Sequence, residues 1–226
     1  MTLSQTVNCK DLLLIDDHPI VSVGVKALLE DSQDFALTHM AQSSREAIAM
    51  ASQKPFDIII LDLVLPGRSG LEVIPELRDC CPDCRIVVYS SLPENLYAAR
   101  SIKAGAHAYV HKEAGLSQLQ EALYTVSAGK IHVSDEVKED MLLHYSDKKS
   151  GENDLSVLSN QELNVLRLIG SGLRLSEIAA ELGISPKTVG THRERIKNKL
   201  SLHSGKELDL FAVSVFSSLP DHTPQV

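Results

Sequence analysis

The sequence predicts two domains: a doubly wound, five-stranded parallel α/β domain, and after it a small all-α domain of four helices. Over the first 130 residues, short apolar runs alternate with segments of helical periodicity. Residues 146–154 then contain no apolar side chain, which is typical of a linker. Beyond them the periodicity is helical only. We therefore expect a first domain at 9–130, a linker at 131–155, a helical domain at 156–218 and a disordered tail at 219–226.

Five apolar runs have the length and composition of buried parallel strands. They are Leu12–Ile15, Phe35–Met40, Asp57–Leu61, Arg85–Tyr89 and Ala108–Val110. Helical segments follow each run, and right-handed crossovers would place them on both faces of the sheet. They are His18–Glu30, Ser43–Gln53, Gly70–Arg78, Glu94–Ala104 and Ser117–Ala128.

The second domain begins with a capping box, because Ser159 and Glu162 can each satisfy a free backbone amide of the same helix. Ser185 and Pro186 are a typical N-cap and first residue of a later helix. The sequence leaves it undecided whether a further helix runs from Val133 to Tyr145. The second and fourth helices of the domain are expected at Ser176–Leu182 and Ser204–Phe216.

Composition and charge set limits on the function. Apolar residues make up 43% and charged residues 23% of 226 residues, which is ordinary for a globular protein. No apolar run approaches the roughly 20 residues that span a bilayer, and the first ten residues lack the apolar core of a secretory signal. We expect a cytoplasmic protein without a membrane partner. The net charge is −8, yet residues 186–206 hold six basic side chains and one acid, which suggests modules with different partners.

Three of the four cysteines, Cys80, Cys81 and Cys84, lie close together in the sequence. Their spacing is compatible with metal or redox chemistry. No second pair is present to complete a four-ligand zinc site. Because the segment falls between a helix and a strand, we interpret these residues as reduced thiols of a loop.

Carboxylates follow two of the predicted strands. Asp16 and Asp17 come after the first strand, and Asp62 comes after the third. Ligands bind at this edge of open α/β sheets, and clustered carboxylates are tolerated when a divalent cation neutralises them. Hard oxygen ligands favour Mg²⁺, so we expect phosphoryl transfer to a carboxylate nucleophile. Ser90 ends the fourth strand and Lys112 follows the fifth, where both could contact phosphoryl oxygens.

Residues 11–128 resemble the flavodoxin-like receiver domain of two-component response regulators. The resemblance rests on Asp16-Asp17, Asp62-x-x-x-Pro66-x-x-x-Gly70, Ser90, Gly105-Ala106 and Tyr109-x-x-Lys112. It implies that Asp62 is the phosphoacceptor and that Ser90 and Lys112 contact the phosphoryl group. It also implies that Tyr109 is an aromatic switch. Mg²⁺ would be held by Asp16, Asp17, Asp62 and the backbone carbonyl of Val64. Many receivers have proline after the lysine, whereas this chain has Glu113.

Residues 178–199 fit a helix-turn-helix, with Val189, Ile196 and Leu200 on the inward face of the second helix. Residues 156–217 resemble the LuxR-type DNA-binding domain in Leu158-Ser159-x-x-Glu162, Glu177-Ile178-Ala179 and Thr188-Val189. The matching segments also include Gly172, Leu182-x-Ile184-Ser185, His192 and Lys199-Leu200. The candidate DNA contacts are Lys187, Thr188, Thr191, His192, Arg193, Glu194, Arg195, Lys197, Asn198 and Lys199. Many relatives have a basic or polar residue where this chain has Gly190.

Together the two resemblances imply a NarL/FixJ-class response regulator rather than an enzyme. It would accept a phosphoryl group from a sensor histidine kinase, form a homodimer when phosphorylated, bind double-stranded DNA and have RNA polymerase as a further partner. Leu208, Phe211 and Val215 of the last helix are the candidate dimer contacts. Two alternatives stay open: a phosphorylation-independent transcription factor with a vestigial acidic site, and a Mg²⁺-dependent phosphohydrolase. Because Leu63 and Val64 cannot serve as a general acid, the second is disfavoured.

Overall fold

The structure is a computed structural model that describes residues 9–146 and 155–216. The predicted tail at 219–226 and residues 147–154 of the predicted linker lie outside the described residues. Apart from residues 67–69, the chain divides into two compact units, the first ending at Lys138 and the second beginning at Glu139. None of the helices in the described part of the chain is long and apolar enough to cross a membrane.

The first unit contains a five-stranded parallel sheet with the strand order β2-β1-β3-β4-β5, which confirms the predicted α/β fold. The strands are β1 (Lys10–Ile15), β2 (Phe35–Ala41), β3 (Ile58–Leu61), β4 (Arg85–Ser90) and β5 (Ala108–His111). Every residue of β3 is buried, as expected for a central parallel strand. The strand order reverses its direction of growth between β1 and β3, and open α/β sheets bind ligands at such a point.

Five helices cover the two faces of this sheet. They are α1 (Pro19–Leu29), α2 (Ser44–Gln53), α3 (Gly70–Cys80), α4 (Glu94–Ala104) and α5 (Leu116–Ser127). Ser43 caps α2, since its side chain accepts a hydrogen bond from the amide of Glu46. One face of the sheet packs with α1 and α5 around a core that includes Leu12, Val25 and Leu119.

The chain after α5 continues along the edge of the sheet. His132 forms a parallel bridge beside β5, in which the Tyr109 amide donates to the His132 carbonyl at 2.9 Å. The helix that the sequence left open is present as α6 (Asp135–Ser146). Val133 and Val137 are both buried, and the Ser134 amide donates to Glu94 Oε1 at 3.0 Å. The first eight residues of the predicted linker, 131–138, therefore fold as part of the first unit.

The second unit contains the four predicted helices around a small apolar core. They are α7 (Asn160–Gly170), α8 (Leu175–Glu181), α9 (Pro186–Lys199) and α10 (Gly205–Phe216). The Ser159–Glu162 capping box is formed, so this sequence prediction is confirmed. Helices α7 and α10 pack closely at Gly170, where a Cβ atom would lie 2.6 Å from the carbonyl oxygen of Ala212. A side chain at this position would force the two helices apart.

Candidate functional site

The register of the sheet brings the predicted carboxylates together. Ile15 and Leu61 are paired residues at the ends of β1 and β3, so Asp16 and Asp62 leave neighbouring strands at the same edge. The Asp62 amide donates to the Ile15 carbonyl at 2.9 Å, which extends the pairing by one residue. The side chain of Asp62 is fully buried and that of Asp16 is 1% exposed. Buried carboxylates need specific partners, because removing a charge from water is costly.

Each carboxylate oxygen of Asp62 has its own hydrogen-bond donor. The Ser90 hydroxyl donates to Oδ1 at 2.7 Å from the end of β4. The Lys112 ammonium donates to Oδ2 at 2.6 Å from the residue that follows β5. Three separate strands therefore deliver the nucleophile candidate and two groups that can bind the oxygens of an incoming anion.

The segment after Asp62 is held in place by Gly70 at the start of α3. A Cβ atom at Gly70 would lie 2.5 Å from the Asp62 carbonyl oxygen and 2.7 Å from the Leu63 Cα atom. The Gly70 amide also donates to the Leu63 carbonyl at 2.9 Å. Glycine is therefore required here for a close approach between helix and loop.

Burial and neighbouring charges shift the pKa values of Asp16 and Lys112 in opposing directions. Burial raises the pKa of Asp16, and the nearby Asp62 carboxylate raises it further, whereas Lys112 lowers it. Burial alone would lower the pKa of Lys112, but the carboxylates of Asp62 and Asp16 outweigh it and raise that pKa. Lys112 Nζ lies 2.8 Å from Asp16 Oδ2, so one ammonium group is shared by two buried carboxylates.

The residues present fit a divalent cation. Asp16, Asp17, His18 and Asp62 each offer one ligand atom, and these atoms lie within 4.8 Å of one another. Asp16 Oδ2 and Asp17 Oδ1 are buried without a well-aligned hydrogen bond, as expected for oxygens that can still bind an ion. Sequence reasoning missed His18, although its position directly after Asp16-Asp17 was visible. The contact recorded for Val64 is its amide, which donates to Asp62 Oδ1 at 3.1 Å.

Tyr109 lies in the core beside this site and is 1% exposed. Its hydroxyl donates to the Leu92 carbonyl at 2.7 Å. Burial holds the pKa of its phenol well above the usual range, so the group stays a hydrogen-bond donor at neutral pH. The described residues contain no cis peptide bond, so the bond between Lys112 and Glu113 is trans.

The predicted recognition helix, α9, presents a polar face and buries an apolar one. Val189 and Ile196 are fully buried and Leu200 is 3% exposed, which confirms the predicted inward face. Ser185 caps the helix by accepting from the Thr188 amide at 3.1 Å, as predicted. The exposed candidate DNA contacts are Lys187, Thr188, Thr191, Glu194, Arg195, Asn198 and Lys199. Those that are half-buried are His192, Arg193 and Lys197.

Three of the basic candidates are paired with acids of their own domain. Lys199 Nζ lies 2.7 Å from Glu162 Oε2 and 3.1 Å from the Val157 carbonyl oxygen. Glu162 is buried in the first turn of α7, and Lys199 is the last residue of α9. This ion pair therefore joins the ends of the two helices. Arg193 Nη2 lies 2.7 Å from Asp209 Oδ1, and Lys197 Nζ lies 2.9 Å from Glu194 Oε2. The sequence of α9 alone therefore does not show which basic residues are available to DNA and which form ion pairs within the domain.

The last helix, α10, has a buried face and an exposed face. Leu208, one of the three predicted dimer contacts, is fully buried in the domain core, while Phe211 and Val215 are half-buried. Leu210 and Val213 are the exposed apolar residues of the helix, at 63% and 44%. The sequence named three apolar residues of this helix as dimer contacts but did not distinguish its buried residues from its exposed ones.

All four cysteines are free thiols. Cys80, Cys81 and Cys84 lie at the connection from α3 to β4, at the opposite edge of the sheet from Asp62, whereas Cys9 precedes β1. Cys81 and Cys84 are buried, and burial together with the neighbouring Cys81 raises the pKa of the Cys84 thiol to about 12. A thiol with so high a pKa is a poor nucleophile at neutral pH. Cys81 and Cys84 lie in the predicted loop, while Cys80 is the last residue of α3.

Two family models match the chain. The model of the response regulator receiver domain matches residues 12–124. The model of the luxR family of bacterial regulatory proteins matches residues 156–212. The first covers the carboxylate site, and the second covers the helix-turn-helix.

Similar proteins are found along the same length. The response regulator UvrY of Escherichia coli is 29% identical over 90% of this chain and 93% of its own. The response regulator GacA of Pseudomonas aeruginosa is 31% identical over 89% of this chain and 94% of its own.

Solved structures of the response regulator RcsB also match. RcsB of Salmonella typhimurium has a TM-score of 0.72 at 24% identity, over 92% of this chain and 99% of that one. A complex of RcsB with DNA has a TM-score of 0.56 at 25% identity, over 92% of this chain and 99% of that one.

Proposed function

The chain belongs to the NarL/FixJ class of response regulators, DNA-binding transcription regulators with a receiver domain and a LuxR-type domain, and on this premise we propose that Asp62 is the switch. A sensor histidine kinase would phosphorylate Asp62, and the phosphorylation would control dimerisation and operator binding. The observation that carries this proposal is the buried Asp62 carboxylate, with a hydroxyl on one oxygen and an ammonium on the other.

In the transfer, a carboxylate oxygen of Asp62 attacks the phosphorus of a phosphohistidine. The new O–P bond forms as the N–P bond breaks, and the leaving imidazole nitrogen takes up a proton. The Ser90 hydroxyl and the Lys112 ammonium, which donate to Asp62 before transfer, can donate to phosphoryl oxygens afterwards. Their hydrogen bonds would therefore move from the Asp62 carboxylate to the phosphoryl group attached to it.

Mg²⁺ is the proposed cofactor, with Asp16, Asp17, Asp62 and the Val64 carbonyl as the proposed ligands. When bound, it supplies positive charge that shields the carboxylates from the incoming phosphoryl group. The buried oxygens Asp16 Oδ2 and Asp17 Oδ1, which have ion-pair contacts but no well-aligned hydrogen bond, support this assignment. Lys112 provides part of the same neutralisation from within the protein.

The signal would leave the site through Ser90 and Tyr109. A Ser90 hydroxyl that turns toward a phosphoryl group would move the loop after β4 with it. The two are connected because the Leu92 amide lies 3.5 Å from Ser90 Oγ. The Tyr109 hydroxyl holds the carbonyl of the same Leu92. These two contacts support the role of Tyr109 as the switch residue.

Two other functions are favoured less. A phosphohydrolase needs a general acid for its leaving group, and residues 63 and 64 after the nucleophile are apolar. A phosphorylation-independent regulator would have no use for five polar residues that converge on one sheet edge. The curated relatives are response regulators, which also argues against an enzyme that releases a product.

The test is phosphorylation followed by DNA binding in the same samples. Wild type and Asp62→Asn would be treated with acetyl phosphate and Mg²⁺, and separated on a phosphate-affinity gel. Asp83→Asn is the matched control, because Asp83 is an exposed aspartate at the opposite edge of the sheet. We expect wild type and the control to be retarded and to gain DNA affinity, while Asp62→Asn does neither. Retardation of Asp62→Asn equal to that of wild type would exclude Asp62 as the acceptor.

A further inference from the structure

The imidazole of His18 lies inside the carboxylate cluster. Its Nδ1 atom is 3.0 Å from Asp16 Oδ1, 3.1 Å from Asp17 Oδ1 and 3.9 Å from Asp62 Oδ2. The side chain is about one-third exposed, so the ring forms part of the mouth of the site. A nitrogen donor surrounded by three carboxylate oxygens is an unusual addition to an oxygen-only cation site.

The position of the ring is fixed by the backbone around it. The His18 amide donates to Asp16 Oδ1 at 2.8 Å, and Pro19 is the first residue of α1. Proline restricts the backbone at this helix start. The ring is therefore held by the same residues that provide the carboxylates, and it does not depend on a distant loop.

The distances match those between neighbouring ligands of one ion. Metal–ligand bonds of about 2.1 Å at right angles place their ligand atoms about 3.0 Å apart. The two shorter separations of His18 Nδ1 have this value, and all the candidate ligand atoms lie within 4.8 Å of one another. The cluster thus has the spacing of a single mixed nitrogen and oxygen site.

We propose that His18 Nδ1 is a metal ligand, and that the receiver consequently prefers borderline divalent ions such as Co²⁺ over Mg²⁺ more strongly than an oxygen-only site would. Imidazole nitrogen suits first-row transition ions, whereas Mg²⁺ is bound mainly by oxygen. The inference rests on the cation site of the proposed function and adds a ligand to it. A different role for the same contacts is an internal counter-charge, in which the ring neutralises Asp16 and Asp17 and a cation displaces it.

The test uses Co²⁺ and Mg²⁺ with the full-length protein. Isothermal titration would give the dissociation constant of each ion for wild type, His18→Ala and Asp17→Asn. In His18→Ala we expect the Co²⁺ dissociation constant to rise roughly tenfold or more, with a change several times smaller for Mg²⁺. Proton NMR of the Co²⁺ form reports ligation directly, because a metal-bound imidazole gives a strongly shifted, exchangeable ring N–H signal. Wild type should show this signal, and His18→Ala should lack it.

The outcomes separate this inference from the cation site itself. If Asp17→Asn no longer binds either ion, the proposed cation site stands. If wild type then shows no shifted ring signal, His18 is rejected as a ligand of that site. Tighter Mg²⁺ and Co²⁺ binding by His18→Ala would reject it as well, in favour of the counter-charge role. Unchanged binding of both ions by Asp17→Asn would reject the proposed cation site as a whole. Circular dichroism of each variant checks that the domain is folded.

Discussion

Lys112 Nζ lies 2.6 Å from Asp62 Oδ2, and this ion pair joins the residue after β5 to the phosphoacceptor candidate after β3. The same ammonium lies 2.8 Å from Asp16 Oδ2. In the absence of a cation, Lys112 is therefore a principal counter-charge for two buried carboxylates. Its removal should matter for stability as well as for phosphorylation.

Lys112→Met keeps the length of the side chain and removes its charge. The carboxylates of Asp16 and Asp62 then lose their shared partner, and we expect the free energy of unfolding to fall by about 3 kcal/mol in EDTA at pH 7. Saturating Mg²⁺ should recover most of this loss, since the ion can neutralise the same oxygens. Urea denaturation with and without Mg²⁺ measures both effects. Equal stability of the two proteins in EDTA would show that Lys112 is not the required counter-charge.

Sequence reasoning predicted most of the fold because each element carries a local signal. The strands are continuous apolar runs, and the helices have periodic apolar positions and caps such as Ser159 and Ser185. The predicted boundaries differ from the structure by a few residues, because the ends of helices and strands depend on contacts made elsewhere. His132 is an example, since its bridge to β5 becomes visible only once the sheet is assembled.

The site was predicted in outline and not in detail. Asp62, Ser90 and Lys112 follow strands, and strand ends meet at one edge, so their convergence could be predicted. The Lys199–Glu162 pair could not, because a wheel of α9 alone contains no information about α7. The same reason applies to Leu208, whose burial depends on the neighbouring helices.

The exposed basic residues of α9 should bind DNA, while Lys199 should mainly stabilise the domain. Arg195→Ala is expected to weaken DNA binding and to reduce the slope of log affinity against log salt by roughly one unit, with an unchanged melting temperature. Lys199→Ala should lower the melting temperature, because Glu162 would keep a buried charge without its partner. Fluorescence anisotropy at several salt concentrations and thermal melting give the two readouts. A melting temperature that falls for Arg195→Ala but not for Lys199→Ala would reverse the assignment.

The dimer surface of α10 should be its exposed apolar face rather than Leu208. Leu210→Asp places a charge on a residue that is 63% exposed, so it should weaken dimerisation and operator binding with little loss of stability. Ile131→Asp is the matched control, because Ile131 is an apolar residue of the receiver that is 54% exposed. Analytical ultracentrifugation of the phosphorylated proteins measures the association. If the control dissociates the dimer and Leu210→Asp does not, α10 is not the contact.

His107 should make the receiver less stable in mild acid. Burial lowers the pKa of its ring to about 4, and Arg85 and Arg78 act in the same direction. The unfolded chain, with a pKa near 6.5, therefore binds a proton that the folded chain rejects, and stability is lost as the pH falls from 6.5 to 4. Because the ring is only half buried, solvent screens part of the effect, and we expect about 1–2 kcal/mol.

The comparison with His107→Asn isolates this group from the others that titrate. His107 Nδ1 accepts a hydrogen bond from the Ile86 amide at 3.2 Å, and the amide oxygen of asparagine can accept it without taking up a proton. Four of the five tyrosines lie in the first 130 residues, so tyrosine fluorescence during urea denaturation reports on the receiver. The difference in stability between the two proteins should shrink or change sign on acidification. A constant difference from pH 7 to 4 would show that His107 does not titrate in this range.

The phosphorylated receiver should lose its phosphoryl group slowly. An aspartyl phosphate is hydrolysed when water approaches in line with the phosphorus, and the residues two after Asp62 and two after Ser90 flank that approach in receivers. Here they are Val64 and Leu92, which are apolar and cannot orient a water molecule. Both are fixed beside the carboxylate, since the Val64 amide donates to Asp62 Oδ1 and the Leu92 amide lies near Ser90 Oγ.

Val64→Asn would place an amide in this position and should speed the loss of phosphate several-fold by positioning water. Ser91 lies between Ser90 and Leu92 and is small, so a kinase imidazole could still reach the same phosphorus. Slow loss of the phosphoryl group together with unhindered transfer from the kinase suits a regulator whose output is transcription. The measurement is the first-order decay of the phosphorylated protein after donor removal, with Val64→Leu as the apolar control. Decay of the wild type within seconds, or slower decay in Val64→Asn than in Val64→Leu, would contradict this role of the flanking residues.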